Sequence, residues 1–237
     1  VKVAVVGYGA MGREIEPVLR ERGHLIAVVR RDDAFPSDCE VGIDFTRAEA
    51  VPANVAAAMA AGARYVVGTT GWHDRLAEVR GLVERAGGGL VHGANFSIGI
   101  GLFYRIVREA ARVMASFPDY DPYVLERHHR RKRDAPSGTA RVLAEIVASA
   151  SGERRRAVTA LDGPLPEAAF HVASLRAGGI VGDHTVGFDA GSDEISIEHR
   201  ARSRRGFALG AVRAAEWIAG RSGVYGFETV LDDISQE

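Results

Sequence analysis

The run Glu126-Arg127-His128-His129-Arg130-Arg131-Lys132-Arg133-Asp134-Ala135-Pro136-Ser137-Gly138-Thr139-Ala140 sets two imidazoles, a lysine and several guanidinium groups ahead of a Ser-Gly-Thr that can open a helix. Histidine titrates near neutral pH and can therefore hand over a proton during a reaction. In an extended segment side chains alternate. Over 123–130, Val124, Glu126, His128 and Arg130 would then share one face, and Leu125, Arg127 and His129 the other. Adjacent histidines pointing apart suit two tasks better than joint metal ligation. The chain has no Cys pair and the run no H-x-x-x-H, so no metal site is expected. Ser137 is an N-cap candidate for a helix whose apolar face is Val142, Leu143, Ile146 and Val147. Gly138 and Thr139 would bring bare amides and a hydroxyl to that helix start. Together with Lys132, Arg130 and the histidines this makes a compact pocket for a small substrate carrying carboxylates. The same cationic run, taken alone, also fits a solvated or polyanion-attracting face, Arg131 and Arg133 especially.

A second chemical feature lies at the start of the chain. Gly7-Tyr8-Gly9-Ala10-Met11-Gly12 is a G-x-G-x-x-G between an apolar run and a helical pattern. Such glycines allow a tight turn and close backbone approach to a pyrophosphate, which then meets the helix N-terminus. Without a ligand they would make an ordinary turn, but the strand before and helix after are what dinucleotide binding needs. An acidic residue about twenty positions on would bind the ribose hydroxyls of NAD. Here the next apolar run ends Val29-Arg30-Arg31, with Asp32-Asp33 beyond. Arg30 and Arg31 suit a 2′-phosphate, so a preference for NADPH over NADH is expected. The alternative is two solvated arginines with an aspartate still on the ribose. Gly68-Thr69-Thr70-Gly71 and Gly93-Ala94-Asn95-Phe96-Ser97 fall after later strands, where hydroxyls and backbone groups could fix a nicotinamide carboxamide.

The elements that must hold these groups follow from the apolar pattern. Short runs at 3–6, 25–29, 41–45, 65–67 and 90–92 alternate with helical patterns at 11–22, 48–61 and 74–86. Near-continuous apolar strands separated by helices predict a parallel sheet covered on both faces. After Asn95 the character changes: a helix over 102–114, a strand at 123–125, a helix over 139–150, then strands at 170–175, 185–188 and 194–201 with glycine turns. This predicts a second, mostly antiparallel α+β domain. A last helix over 208–219 can return to the first. The expected architecture is α/β, a Rossmann-type parallel-sheet domain over 1–97 and 207–237, with an α+β substrate and oligomerisation domain over 98–206.

Composition limits the rest. With 237 residues, 46% of them hydrophobic, the chain can bury a substantial core. Thirty Lys+Arg against thirty-one Asp+Glu give a net charge of −1, so the cationic run is a local feature and a nucleic-acid partner is not expected. The single cysteine, Cys39, cannot form an intramolecular disulfide and reads as a half-buried loop residue. No apolar run approaches a membrane span, and no signal layout opens the chain, so a cytoplasmic protein is expected.

The run at 126–140 matches E-x-H-H-x-x-K-x-D-A-P-S-G-T-A without exception, and by it the chain resembles the dihydrodipicolinate reductases. Further similarity runs through Ile43-Asp44-Phe45-Thr46, Gly68-Thr69-Thr70-Gly71, Asn95-Phe96-Ser97, Arg176-Ala177-Gly178, Val181-Gly182-Asp183-His184-Thr185 and Gly210-Ala211-Val212-Arg213. The resemblance implies a step of diaminopimelate and lysine biosynthesis. Hydride would pass from NAD(P)H to C4 of a cyclic dicarboxylate, with loss of a hydroxyl as water. It further implies His128 as the acid, Lys132 as an orienting and assisting residue, and His129 with Ser137, Gly138 and Thr139 on the carboxylates. It also implies a homotetramer built through the second domain's sheets. Two departures stand out: Arg30 occupies a position that is acidic in the family's long form, and the stretch between Arg31 and Val41 is too short for a helix often found there.

Two other classes fit part of the pattern. A two-domain dehydrogenase acting on aspartate accounts for the glycine motif but not for the whole run at 126–140. A catalytically silent NADP-binding regulator could use the cationic run on nucleic acid. Against it stand the near-neutral net charge and the lack of aromatics interleaved in 128–133.

Overall fold

The computed structural model describes residues 1–31, 33–152 and 155–235, which form two units: 1–98 with 204–237, and 99–203. In the first, β1 (Lys2–Val6), β2 (Leu25–Val29), β3 (Val41–Asp44), β4 (Arg64–Val67) and β5 (Gly89–His92) are joined through α1 (Ala10–Glu21), α2 (Val51–Ala60) and α3 (Leu76–Arg85). The β2–β3 connection contains no helix among the described residues. The strand pattern works because alternate residues of each strand feed opposite faces. Val3 and Val5 of β1, with Val41, Ile43, Val66 and Val91, pack on Ile15, Val18 and Leu19 of α1. Ala4 and Val6, with Tyr65, Val67 and Leu90, pack on Val55, Met59, Val79 and Val83 from α2 and α3. Cys39 joins this second layer and is buried rather than half-buried.

After the second unit the chain returns as α6 (Arg205–Ile218), β11 (Gly223–Gly226) and α7 (Phe227–Ile234). The sequence predicts one last helix; β11 and α7 correct it. β11 is Gly-Val-Tyr-Gly, too short and glycine-rich to read as a strand, yet it pairs parallel with β5 and completes the sheet β11-β5-β4-β3-β1-β2. The strand order reverses between β1 and β3, and it is at such a reversal that open parallel sheets bind ligands.

The second unit holds α4 (Ile98–Met114, all but its first residue), β6 (Asp121–His128), α5 (Gly138–Ala150), β7 (Arg156–Val158), β8 (Ala169–Arg176), β9 (Asp183–Asp189) and β10 (Glu194–Arg200). Its sheet runs β10-β9-β6-β8-β7. The expectation of a mostly antiparallel sheet is corrected: β10–β9 and β9–β6 are antiparallel, but β6–β8 and β7–β8 are parallel. The parallel pairs arise because α5 carries the chain from β6 over the sheet to β7 and β8. Phe103 and Val107 of α4 and Leu143, Ile146 and Val147 of α5 cover Val124, Phe170, Val172, Val186 and Phe188. Among the described residues no helix is long and apolar enough to cross a membrane.

Candidate active site

β6 is longer than the expected strand and stops at His128, after which the chain turns at Arg130 and Arg131. Arg130, expected on the face of His128, lies in that turn instead. Extension does put Val124, Glu126 and His128 on one buried face, as alternation requires. Sheet register then adds neighbours that sequence spacing cannot show. Glu126 stands between Ser174 of β8 and His184 of β9, and His128 stands opposite Arg176.

Glu126 is fully buried and central. Its Oε2 takes the Nδ1 hydrogen of His128, while Oε1 accepts from Arg176 Nη2 at 2.6 Å and from the Ser137 amide at 3.3 Å. Burial pushes this carboxyl up, but hydrogen bonds from Arg176, Ser174 and His128 outweigh it and hold the group below its usual value. His128 is drawn down from its usual value by burial first; Glu126 pulls it up, and the Lys132 and Arg176 charges pull it down. Its Nε2 lies over Gly182, where a Cβ would come within 2.9 Å. His184 stands edge-on to His128, ring centroids 5.1 Å apart, and its Nε2 meets Ser137 Oγ at 3.1 Å. Burial holds His184 down to about 4, with the His128 charge adding to the shift.

Ser137 caps α5 as expected, its Oγ accepting from the Ala140 amide at 3.2 Å. Gly138 and Thr139 are the first helical residues, and their amides have no acceptor within the helix. Gly138 is exposed and Thr139 half-buried, so both can be reached by a ligand. Lys132 Nζ is held by Asp134 at 2.8 Å, and the Asp134 carbonyl accepts from Arg176 Nη2 at 2.6 Å. The Nδ1 of His129 is buried and has no hydrogen-bond partner. Arg127, on the opposite face, is bound by Asp183 and Glu198, each at 3.1 Å. Arg130, Arg131 and Arg133 are exposed.

This geometry gathers His128, Ser137, Glu126, Arg176 and His184 into one array. Glu126, Arg176 and His184 had no role in the residue-by-residue reading. Alternation alone points to Glu126; the other two needed the sheet register. Glu126, His128 and His184 offer atoms within 4.8 Å of one another, a spacing a metal could use. The Arg176 guanidinium already supplies the positive charge that a cation would bring to Glu126. A cavity of about 440 Å³ opens at the other end of β6, lined by Met114, Phe117, Pro122 and Phe188 together with Tyr120, Arg155 and Glu167.

In the first unit the glycines separate by role. Gly7 has φ +84°, and a Cβ there would strike Thr46 Cγ2 at 2.7 Å. A Cβ on Gly12 would come within 2.4 Å of the Gly7 carbonyl oxygen, so this glycine lets α1 pack on the turn. A Cβ on Gly9 would meet nothing within 4 Å. Gly9 is also the N-cap of α1 and offers no side-chain cap, so the amides at Ala10 and Met11 are left for a ligand. Open space beside uncapped amides fits a pyrophosphate. Arg30 and Arg31 are exposed at the end of β2, and the Arg30 amide donates to Asp33 Oδ2 at 2.7 Å. Asp32, the other ribose candidate, lies outside the described residues.

The later loops divide as well. A Cβ on Gly68 would overlap the Phe45 ring at 2.2 Å. The Thr69 hydroxyl turns inward to Asp44 Oδ1 at 3.2 Å, whereas Thr70 is exposed. Ala94 is exposed and Asn95 half-buried, the latter accepting from the Ser97 amide at 2.8 Å. Phe96 is a core side chain, its ring 4.5 Å from that of Phe227, so only its backbone can face a ligand.

The family model described as "Dihydrodipicolinate reductase, N-terminus" matches residues 25–96, and "Dihydrodipicolinate reductase, C-terminus" matches 99–231. A 4-hydroxy-tetrahydrodipicolinate reductase of Christiangramia forsetii is 33% identical over 98% of this chain and 98% of its own length. That of Archaeoglobus fulgidus is 39% identical over 92% of this chain and 88% of its own. A dipicolinate-bound dihydrodipicolinate reductase from Paenisporosarcina sp. TG-14 shares the fold, with TM-score 0.76 and 24% identity over 97% of this chain and 98% of that one. With family models matching 25–96 and 99–231 and relatives 33% and 39% identical over most of both chains, the chain belongs to the dihydrodipicolinate reductase family.

Proposed function

We propose that this chain is an NAD(P)H-dependent oxidoreductase that reduces 4-hydroxy-tetrahydrodipicolinate to tetrahydrodipicolinate, in the cytoplasm, on the route to diaminopimelate and lysine. The observation that carries the reading is the placement of the 126–140 run. It ends β6 on a proton donor, His128, and starts α5 on the Gly138 and Thr139 amides, at the two ends of one β–α connection. A cyclic dicarboxylate needs both: an acid for the departing hydroxyl and fixed donors for its carboxylates. Bound reduced nicotinamide supplies the hydride that C4 gains. One proton balances the reaction, since the C4–O bond breaks and the hydroxyl leaves as water. His128 delivers that proton from Nε2, while its Nδ1 keeps its hydrogen and donates it to the Glu126 carboxylate. Lys132 exchanges Asp134 for a substrate carboxylate and assists. His129, Ser137, Gly138 and Thr139 hold the carboxylates, Ser137 through its setting of the helix start.

Gly7, Gly9, Ala10, Met11 and Gly12 would hold the pyrophosphate, and Thr70, Ala94, Asn95 and the backbone of Gly68, Thr69 and Phe96 the nicotinamide end. Exposed Arg30 and Arg31 favour a 2′-phosphate, hence NADPH over NADH. Assembly as a homotetramer through the second unit's sheet follows the family resemblance, and Leu175 stands exposed on that sheet's helix-free face.

The test is oxidation of NADPH and NADH, side by side, with substrate made in situ from pyruvate and aspartate semialdehyde by the preceding synthase. Synthase-dependent oxidation that is faster with NADPH supports both parts. No oxidation by folded protein that binds NADPH removes the substrate assignment. Equal use of NADH removes the role of Arg30 and Arg31. His128→Ala and Lys132→Ala should each lower kcat by ~10²-fold or more. Thr139→Val should instead raise the dicarboxylate KM.

A further inference from the structure

Asp44 is fully buried at the end of β3, and hydride transfer has no use for its carboxylate. Its surroundings are nevertheless built around it. Oδ1 accepts from the Thr46 amide at 2.8 Å, Thr46 Oγ1 at 2.6 Å and Thr69 Oγ1 at 3.2 Å; Oδ2 accepts from Asn54 Nδ2 at 2.9 Å and Tyr65 OH at 3.1 Å. Burial, and then the Asp44 charge, push the Tyr65 hydroxyl well above its usual value, so it stays a donor. A sealed carboxylate costs several kcal/mol of desolvation unless it is paired or fully hydrogen-bonded, and here donors reach both oxygens.

Those donors come from particular places. Thr46 opens the loop after β3, and its methyl lies 2.7 Å from where a Cβ of Gly7 would stand. Thr69 sits in the loop after β4, where its carbonyl also accepts from Trp72 Nε1 at 2.8 Å. One side chain thus fastens two loops at neighbouring strand ends, beside the point where strand order reverses from β1 to β3. It also consumes the Thr69 hydroxyl hydrogen, which is then not offered to a ligand.

We propose that Asp44 is a positioning residue for the dinucleotide: through Thr46 and Thr69 it fixes the surface against which the glycine turn presents its ligand. The proposal rests on the reading of this unit as the cofactor site. A rigid floor lowers the ordering that binding must otherwise complete, so its loss should appear in cofactor affinity. Binding of the dicarboxylate, assigned to the other unit, should not follow it.

The experiment is calorimetric titration of the full chain with NADPH, alongside the dicarboxylate KM, for wild type, Asp44→Asn and Tyr65→Phe. Asparagine keeps the shape but turns an amide hydrogen pair toward groups that donate, and NADPH Kd should rise about tenfold or more. Tyr65 is wholly buried and its hydroxyl donates to Asp44 Oδ2. Its loss of one donor should raise Kd about threefold. The dicarboxylate KM should stay within about twofold in both. Wild-type Kd in both variants overturns the proposal, as does a dicarboxylate KM that rises in step with Kd. Should Asp44→Asn not fold, Tyr65→Phe decides alone. Wild-type protein that binds neither NADPH nor NADH would instead remove the underlying cofactor-site reading.

Discussion

The Nδ1 hydrogen of His128 is held by the carboxylate of Glu126, and that bond decides which nitrogen of the ring is free to act. With Nδ1 protonated toward a buried acceptor, Nε2 carries the labile proton of the charged form and a lone pair afterwards. Arg176 on the other oxygen of Glu126 keeps that carboxylate ionised, so it remains an acceptor and not a rival acid.

Glu126→Gln should move the pH dependence of turnover. Glu126 raises the pKa of His128 against burial, Lys132 and Arg176. Without its charge the imidazolium is lost at lower pH, and the falling alkaline limb of kcat/KM should shift to lower pH. The variant should also melt earlier, since Arg176 loses a buried partner at a cost of about 3 kcal/mol. A pH–rate profile whose limb stays in place while the melting temperature falls would leave Glu126 a structural role only.

Binding of a dicarboxylate should draw a proton into the site. In the free protein burial and two cations hold His128 down, so much of it is neutral near pH 7. Two carboxylates placed beside it offset those cations and favour the charged ring. Calorimetric titration with dipicolinate in buffers of different ionisation enthalpy should show proton uptake near pH 7, and affinity should fall as pH rises. His128→Asn should abolish most of the uptake. Equal uptake in that variant would assign the proton to another group.

Gly9 and Gly12 belong to one motif but should fail in different ways. Gly12→Ala drives a methyl against the Gly7 carbonyl, so the turn or α1 must shift, and stability should fall by about 2 kcal/mol. Gly9→Ala has open space and a φ of −82°, so the fold should be kept within about 0.5 kcal/mol. Its methyl would stand where the pyrophosphate approaches, and NADPH affinity should drop by about tenfold or more. Thermal melts and NADPH titrations separate the two. A Gly9→Ala protein with unaltered affinity would place the phosphates elsewhere.

How far such distinctions could be read beforehand depends on the range of the interaction. Ser137 as a cap and the shared face of Glu126 and His128 are set within a few residues, and period or spacing reveals them. Arg176 and His184 reach Glu126 from β8 and β9, strands whose pairing with β6 is settled by the α5 crossover and not by any local pattern. The parallel pairing of β8 was missed for the same reason. Thr69 and Phe96 illustrate another limit: a motif marks the loop, but whether the side chain faces the ligand or the core depends on Asp44 and Phe227, which lie far away in sequence. β11 escaped notice because its glycines read as a turn, while the neighbouring β5 supplied the pairing.

His184 should make the fold acid-sensitive in a defined window. Its folded pKa is held at about 4 by burial, with the His128 charge adding to it, against a usual 6.5. Glu126 opposes that shift, while His199 and Lys132 reinforce it. A depressed histidine binds its proton more readily when unfolded, so its contribution is complete above about 6.5 and is lost as pH falls toward 4. The full loss would be roughly 3 kcal/mol. His92, His128 and His199 are shifted in the same direction, chiefly by burial, and add to the slope. His184→Gln can still meet Ser137 Oγ but cannot titrate. Its melting temperature should be lower than wild type at pH 7, where the packing is imperfect, and should fall less steeply from pH 6.5 to 4. Parallel curves for the two proteins would mean that His184 takes up its proton without cost, and that it is not held neutral between Glu126, His128 and the α5 cap.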